Sequence, residues 1–222
     1  MFVGHAALAF AAKTRCTKTS LGTLLFATFG LDLIWPWLVL GGIEQVRIDP
    51  GNTAFTALAF DYYPWSHSLL MAALWGGLAG AAYYGARRER GAAWMVGALV
   101  VSHWLLDWIS HRPDMPLWPG AGSPLLGLGL WNSIPATLVV EGALFALGVG
   151  IYLRVTQARD RIGSVALWVL LAVLAFAWAS GPFSPPPSSV KEVAGFGVVA
   201  GPLFGIWAIW VDRHRETATL AN

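Results

Sequence analysis

Val100-Val101-Ser102-His103-Trp104-Leu105-Leu106-Asp107-Trp108-Ile109-Ser110-His111-Arg112-Pro113-Asp114 closes an apolar run that begins near Gly91. At 1.5 Å per residue, about 20 such residues cross a hydrocarbon core of about 30 Å. Within the run His103, Asp107 and His111 recur every four residues, so a helix stacks them along one face. Pro113 and Pro116 stop that helix. Ionisable groups in an apolar span are costly and by default mark a functional position.

The rest of the chain has the same character. Of its 222 residues 56% are hydrophobic and 12% charged, whereas a soluble domain carries about 25% charged residues. Long apolar runs, 13 Trp and 25 Gly indicate a polytopic helical membrane protein. Six stretches are long enough to span, near 21–40, 66–86, 91–109, 132–153, 163–181 and 193–211. Residues 1–13 are too short to cross and read as a half-helix, re-entrant or interfacial. The expected fold is therefore all-α, with six transmembrane helices and a short N-terminal half-helix. It forms one integral membrane domain over residues 1–222.

Charge orders the connections. Lys13, Arg15 and Lys18 precede the first span, and Arg87, Arg88 and Arg90 join the second and third. Arg154, Arg159 and Arg161 join the fourth and fifth, and Arg213 and Arg215 follow the sixth. Only Arg47, Arg112 and Lys191 fall on the other side. The positive-inside rule places the basic N- and C-terminal segments in the cytoplasm. No basic residue precedes the apolar opening from Met1 to Ala12, the reverse of a secretory signal. With that orientation His67, His103 and Asp107 lie in the outer half of the bilayer and His111 at the outer mouth. Asp32 and Glu141 lie near mid-depth. The expectation is a cavity opening outward.

Several classes of function drop out. A net charge of +2 gives no argument for a nucleic-acid partner. The lone Cys16 excludes an intramolecular disulfide and any cysteine-based zinc cluster. No internal repeat is visible, which argues against an inverted-repeat transporter. Ser66, after Tyr63-Pro64-Trp65, reads as a helix N-cap. Gly181–Ser189, with Pro182 and Pro185–Pro187, reads as a stiff connector.

Metal chemistry gives these residue types a reason to share a membrane. Catalytic zinc takes His and carboxylate ligands and keeps one position for water. His103 and Asp107, one turn or about 6 Å apart, can converge on one ion. His111 is about 12 Å from His103 by the same rise, so it reads as a substrate or outer-sphere group. A central Asp costs about 2.5–3.5 kcal/mol on insertion scales, against about 0.3–0.6 returned by a Leu. Asp32 thus needs a partner: a metal, a protonated His or cavity water. His67 and His5 are open to both functional and structural readings. Glu141 reads equally as a proton relay, a ligand or a structural hydrogen bond. His214 reads as part of a solvated tail.

Gly4-His5, Gly30-Leu31-Asp32, Trp65-Ser66-His67-Ser68-Leu69 and Ser102-His103-Trp104-Leu105-Leu106-Asp107 resemble the bacterial inner-membrane family of metal-dependent hydrolases. In its usual pattern an N-terminal His precedes an acidic motif, then Thr-His-Ser-Leu, then a His-x-x-x-Asp helix. The resemblance covers about the first half of the chain. Here Ser66 stands where that pattern has Thr, and Asp32 stands alone where two Asp are common. The resemblance implies a membrane-embedded hydrolase of the bacterial inner membrane with a divalent metal, zinc by preference. His67, His103 and Asp107 would be the metal ligands, and Asp32 and His5 would complete the shell or act as base. His111, Arg112, Asp114 and Glu141 would form a substrate or outer layer, with Arg112 suited to an anionic headgroup. The substrate would be lipid-like. Two rival readings use the same residues: a proton- or cation-coupled transporter through Asp32, Glu141 and His103, and a non-catalytic membrane protein with a structural metal.

Overall fold

The computed structural model of the chain describes residues 1–218. Its first helix, α1 (Val3–Ala12), is followed by α2 (Leu21–Thr28) and α3 (Gly30–Leu40). A hairpin of β1 (Gln45–Ile48) and β2 (Leu58–Tyr62) leads to the single turn α4 (Pro64–His67). Two long antiparallel neighbours come next, α5 (Leu69–Arg87) and α6 (Arg90–Ser110), joined by the left-handed Arg88. After the short β3 (Met115–Pro116) and β4 (Leu125–Leu126) run α7 (Ile134–Val155), β5 (Thr156–Ala158), α8 (Arg161–Ser180) and α9 (Val190–Arg213). β6 (Arg215–Thr217) then pairs with β5.

Helices α5 to α9 are each long and apolar enough to cross a bilayer, and α2 with α3 makes a sixth span if the pair is one broken crossing. The all-α polytopic expectation holds, with span ends within a few residues of those read from sequence. Their outward faces carry Leu74 and Leu78, Trp94, Leu147, Phe176 and Leu203, all exposed. Soluble monomers rarely expose apolar patches beyond a few hundred Å², so lipid is the natural cover for these faces.

Three details differ from the sequence reading. The first span is not straight: α2 and α3 meet at 54°, with Phe29 between them outside regular helical angles. Such a break frees terminal carbonyls, which have no intrahelical partner. The second span starts at Leu69 rather than Ser66. The cap there is Ser68, which accepts from the Met71 amide at 3.2 Å, and Ser66 is turned to another use described below. Lastly, α1 buries nearly its whole circumference and packs on α7, α2 and α6. An interfacial helix keeps one face in the headgroups, and α1 has no such face.

The core is built around α1, with Phe10 set edge-on to Tyr152 and Phe145 of α7. At one end of the bundle Lys13, Lys18, Arg87, Arg159, Arg213 and Arg215 surround a single bowl, so the basic segments grouped by sequence do share a side. Lys13 is buried there on Asp212 at 2.6 Å. Helix starts are capped by Ser20, Ser68, Ser133, Asp160 and Ser189. The Ser133 hydroxyl accepts from the Ala136 amide at 3.3 Å. Ser133→Ala is expected to destabilise the fold by about 1 kcal/mol, read as a lowered melting temperature in detergent.

Candidate metal centre

Four elements bring five ionisable side chains to one point. α1 supplies His5 and the start of α3 supplies Asp32, where a helix N-terminus favours negative charge. His67 ends α4. α6 supplies His103 and Asp107 one turn apart. His5, His67, His103 and Asp107 are all buried, while about 43% of the Asp32 side chain stays exposed.

The two oxygens of Asp107 face different neighbours. Oδ1 lies 3.0 Å from His5 Nε2 and also accepts from the Met1 amine, which in turn donates to Ser110 Oγ at 3.0 Å. Oδ2 faces the other histidines, 3.0 Å from His103 Nε2 and 3.8 Å from His67 Nε2. Asp32 Oδ1 approaches the same two nitrogens, at 3.4 Å from His67 and 3.7 Å from His103. The His5 and His103 rings stack at 3.8 Å, within 3° of parallel.

Hydrogen bonds behind the rings fix which nitrogen carries the proton. His103 Nδ1 lies 2.7 Å from the Thr28 carbonyl, a pure acceptor at the α2–α3 break. Nδ1 must therefore donate, and neutral His103 presents a bare lone pair at Nε2. That Nε2 has no hydrogen-bond partner, although Asp107 is near. His67 is set the same way. Its Nδ1 is 2.6 Å from Ser66 Oγ, and Ser66 gives its own proton to Glu44 Oε2 at 2.6 Å. Glu44 Oε1 accepts the Trp65 and Ser66 amides, both at 2.8 Å. Burial raises the Glu44 carboxyl above its ordinary range, and the Ser66 bonds pull it back.

The consequence is electrostatic. Two imidazole lone pairs, Asp107 Oδ2 and Asp32 Oδ1 converge with no donor between them among the described residues, since the Met1 amine and His5 serve only Asp107 Oδ1. Acceptors at this range repel unless a cation or added protons sit among them. Histidine and carboxylate with tautomers held by outer partners is the donor set of zinc and similar divalent ions. The ligand atoms fall into two overlapping groups, His5–His103–Asp107 and Asp32–His67–His103, each within 4.8 Å. A buried His/Asp cluster of this kind can hold a metal ion.

Other residues singled out from sequence sit elsewhere. Glu141 is fully buried in α7, but it anchors α1: its Oε2 accepts the amides of Phe2 at 2.8 Å and Gly4 at 3.3 Å. His111 is not at an open mouth. It is buried under Trp131 and Phe60, with Nδ1 3.0 Å from Asp114 Oδ1. Tyr63 joins them, donating to Asp114 at 2.8 Å, and its ring lies 5.3 Å from that of His67. Burial and the Asp114 carboxylate hold the Tyr63 phenol well above its usual range, so it remains a neutral donor. Arg112 braces Asp114 from outside at 3.3 Å. His111, Asp114 and Tyr63 therefore form a corner behind His67, with Arg112 on its outer side. His214 pairs with Asp160 at 2.6 Å on the surface.

Sequence reasoning missed Glu44 and the Thr28 carbonyl and misread Ser66. Ser66 had a signal, since it adjoins His67. Glu44 had none, because the β1–β2 hairpin from Gln45 to Tyr62 that returns the chain to it leaves no spacing pattern.

A family model described as YdjM inner membrane protein matches residues 64–182. The match covers just over half the chain and includes His67, His103 and Asp107, but not His5, Asp32 or Glu44. Its description names a location and no reaction. No curated protein and no solved structure matches the chain.

Proposed function

The chain belongs to the YdjM inner membrane protein family, and from that premise we propose that it is a membrane-embedded, metal-dependent hydrolase. The observation that carries this reading is the pair of bare, buried Nε2 atoms of His67 and His103 facing Asp107 Oδ2 and Asp32 Oδ1. His67, His103 and Asp107 would hold the ion. A bound zinc ion would supply a water of lowered pKa, about 7 in known sites, and a Lewis acid for a carbonyl or phosphoryl oxygen.

The chain's own residues supply the rest. Asp32, beside both histidines and partly open, is placed to accept a proton at Oδ1 from an incoming water. His5 holds Asp107 Oδ1, which leaves Oδ2 for the ion. The stacked His5 and His103 rings and the buried wall of α1 exclude bulk water from that side. Ser66 and Glu44 hold the His67 tautomer, and the Thr28 carbonyl holds that of His103. The basic end of the bundle faces the cytoplasm by the positive-inside rule, which puts this centre toward the opposite side.

Purified protein should carry close to one divalent metal per chain by elemental analysis and lose it to chelators. A correctly folded preparation that takes up no metal would remove the proposal. Ser66→Ala is expected to lower metal affinity by about 10–100-fold, measured by competition with a chelating dye, because His67 is then free to turn or change tautomer. The transport reading is weakened by Glu141, which is committed to the α1 amides. Proton or cation flux in liposomes that is abolished by Asp32→Asn would restore it.

A further inference from the structure

One flank of the cluster is apolar. Asp32 lines a crevice of about 260 Å³ between α2, α3, α8 and α9. Its walls include Phe26, Phe29, Leu174, Ala200 and Phe204, and among the described residues Asp32 is the only ionisable side chain that lines it. Trp35 lines it too, nine-tenths buried. A crevice with one carboxylate and otherwise hydrocarbon walls fits a molecule that is mostly hydrocarbon with one polar end.

Its position says where that molecule comes from. The walls are helices that span the membrane, and Phe196 and Leu203 on α9 next to it are exposed toward what would be lipid. The α9 backbone is clamped to α2: a Cβ on Gly205 would lie 2.3 Å from the Phe26 ring. The opening is thus a seam between close-packed helices. Pockets for drug-sized ligands measure about 300–1,000 Å³, so this smaller volume takes part of one hydrocarbon chain and not a whole two-chain lipid. A chain already in the bilayer gives up no water to enter, because lipid tails and leucine side chains are equally apolar. Recognition then falls on the polar end.

We propose that the crevice admits one acyl chain of a membrane lipid sideways from the bilayer and delivers its ester-bearing headgroup to Asp32 and the histidine cluster. This rests on the hydrolase reading for the fate of the head, but the binding of the chain stands apart from metal. The lipid is a substrate by this reading and not a bystander, because the chain path ends on the proposed base.

The test uses the full-length protein in nanodiscs containing a phosphatidylglycerol with a diazirine in one acyl chain. After photolysis, adducts are mapped by mass spectrometry, with metal loaded and stripped. Expected adducts fall on Leu25 and Leu174, crevice residues that are almost fully buried and out of reach of bulk lipid. Ala200→Trp should remove those adducts and leave the ones on outward Trp168 and Leu203, with metal content unchanged. Adducts confined to the outer faces of the wild type overturn the proposal, whether or not the variant folds. Inner adducts that persist in the blocked variant overturn it as well. Inner adducts on a protein that binds no metal would support the crevice and refute the metal centre. Metal without inner adducts would do the reverse.

Discussion

Replacing His103 with alanine is expected to strip the purified protein of divalent metal. The side chain is wholly buried and joins both groups of possible ligands, so no other single residue affects as much of the centre. Its loss should cost more than the 10–100-fold in metal affinity that is usual, at about that size, for an outer partner. The variant also leaves the Thr28 carbonyl without the 2.7 Å bond from Nδ1, which costs about 1–3 kcal/mol of stability. The two effects separate experimentally. A metal that binds only the folded wild type raises its stability by about 2.7 kcal/mol at a hundred times the Kd. Added metal should therefore raise the wild-type melting temperature and leave that of His103→Ala unmoved. Asp107→Asn should behave alike with little change of shape. Near-stoichiometric metal in both variants would show that the centre lies elsewhere.

Gly148→Val is expected to cause a large loss of stability. A Cβ at Gly148 would lie 2.3 Å from the Ala7 carbonyl oxygen and 2.7 Å from Ala7 Cα. Those atoms are backbone of α1 and cannot rotate aside, so the whole half-helix must shift. Overpacking a close contact costs about 1–3 kcal/mol, occasionally more, and here the upper end applies. His5 lies two residues from Ala7, so the shift also disturbs the His5–Asp107 bond of 3.0 Å and the Glu141 anchor. Melting temperature and metal affinity should fall together. A variant that keeps both would show that α1 is not seated on α7 as described.

Much of the frame was legible in the chain because bilayer crossing is a one-dimensional property. Length, apolar composition and the placement of basic residues marked α5 to α9 with little tertiary help. The i, i+4 spacing of His103 and Asp107 sufficed to make them neighbours, since a helix sets that geometry locally. His67, His5 and Asp32 were recognisable as polar residues out of place in apolar surroundings, and motif resemblance linked them. Glu44 escaped both signals. It lies in a loop, where a carboxylate is unremarkable, and becomes informative only when the β1–β2 hairpin folds it onto Ser66. The same holds for His111, whose burial depends on Trp131 arriving from a distant loop.

What the sequence determined by itself was therefore a polytopic helical membrane protein, together with a set of polar residues out of place in apolar surroundings. The tertiary structure decided what those groups do to one another. It bent α2 against α3 so that a freed carbonyl meets His103, set Ser66 behind His67, and divided the two oxygens of Asp107 between opposite neighbours. It also set Glu141 against the α1 amides and buried His111 beside Asp114. The physical reason is range: hydropathy and helical period act over a few residues of one segment. Proton position and ligand convergence depend on atoms within about 3 Å of each other, brought together from α1, α3, α4 and α6, and no single segment encodes them.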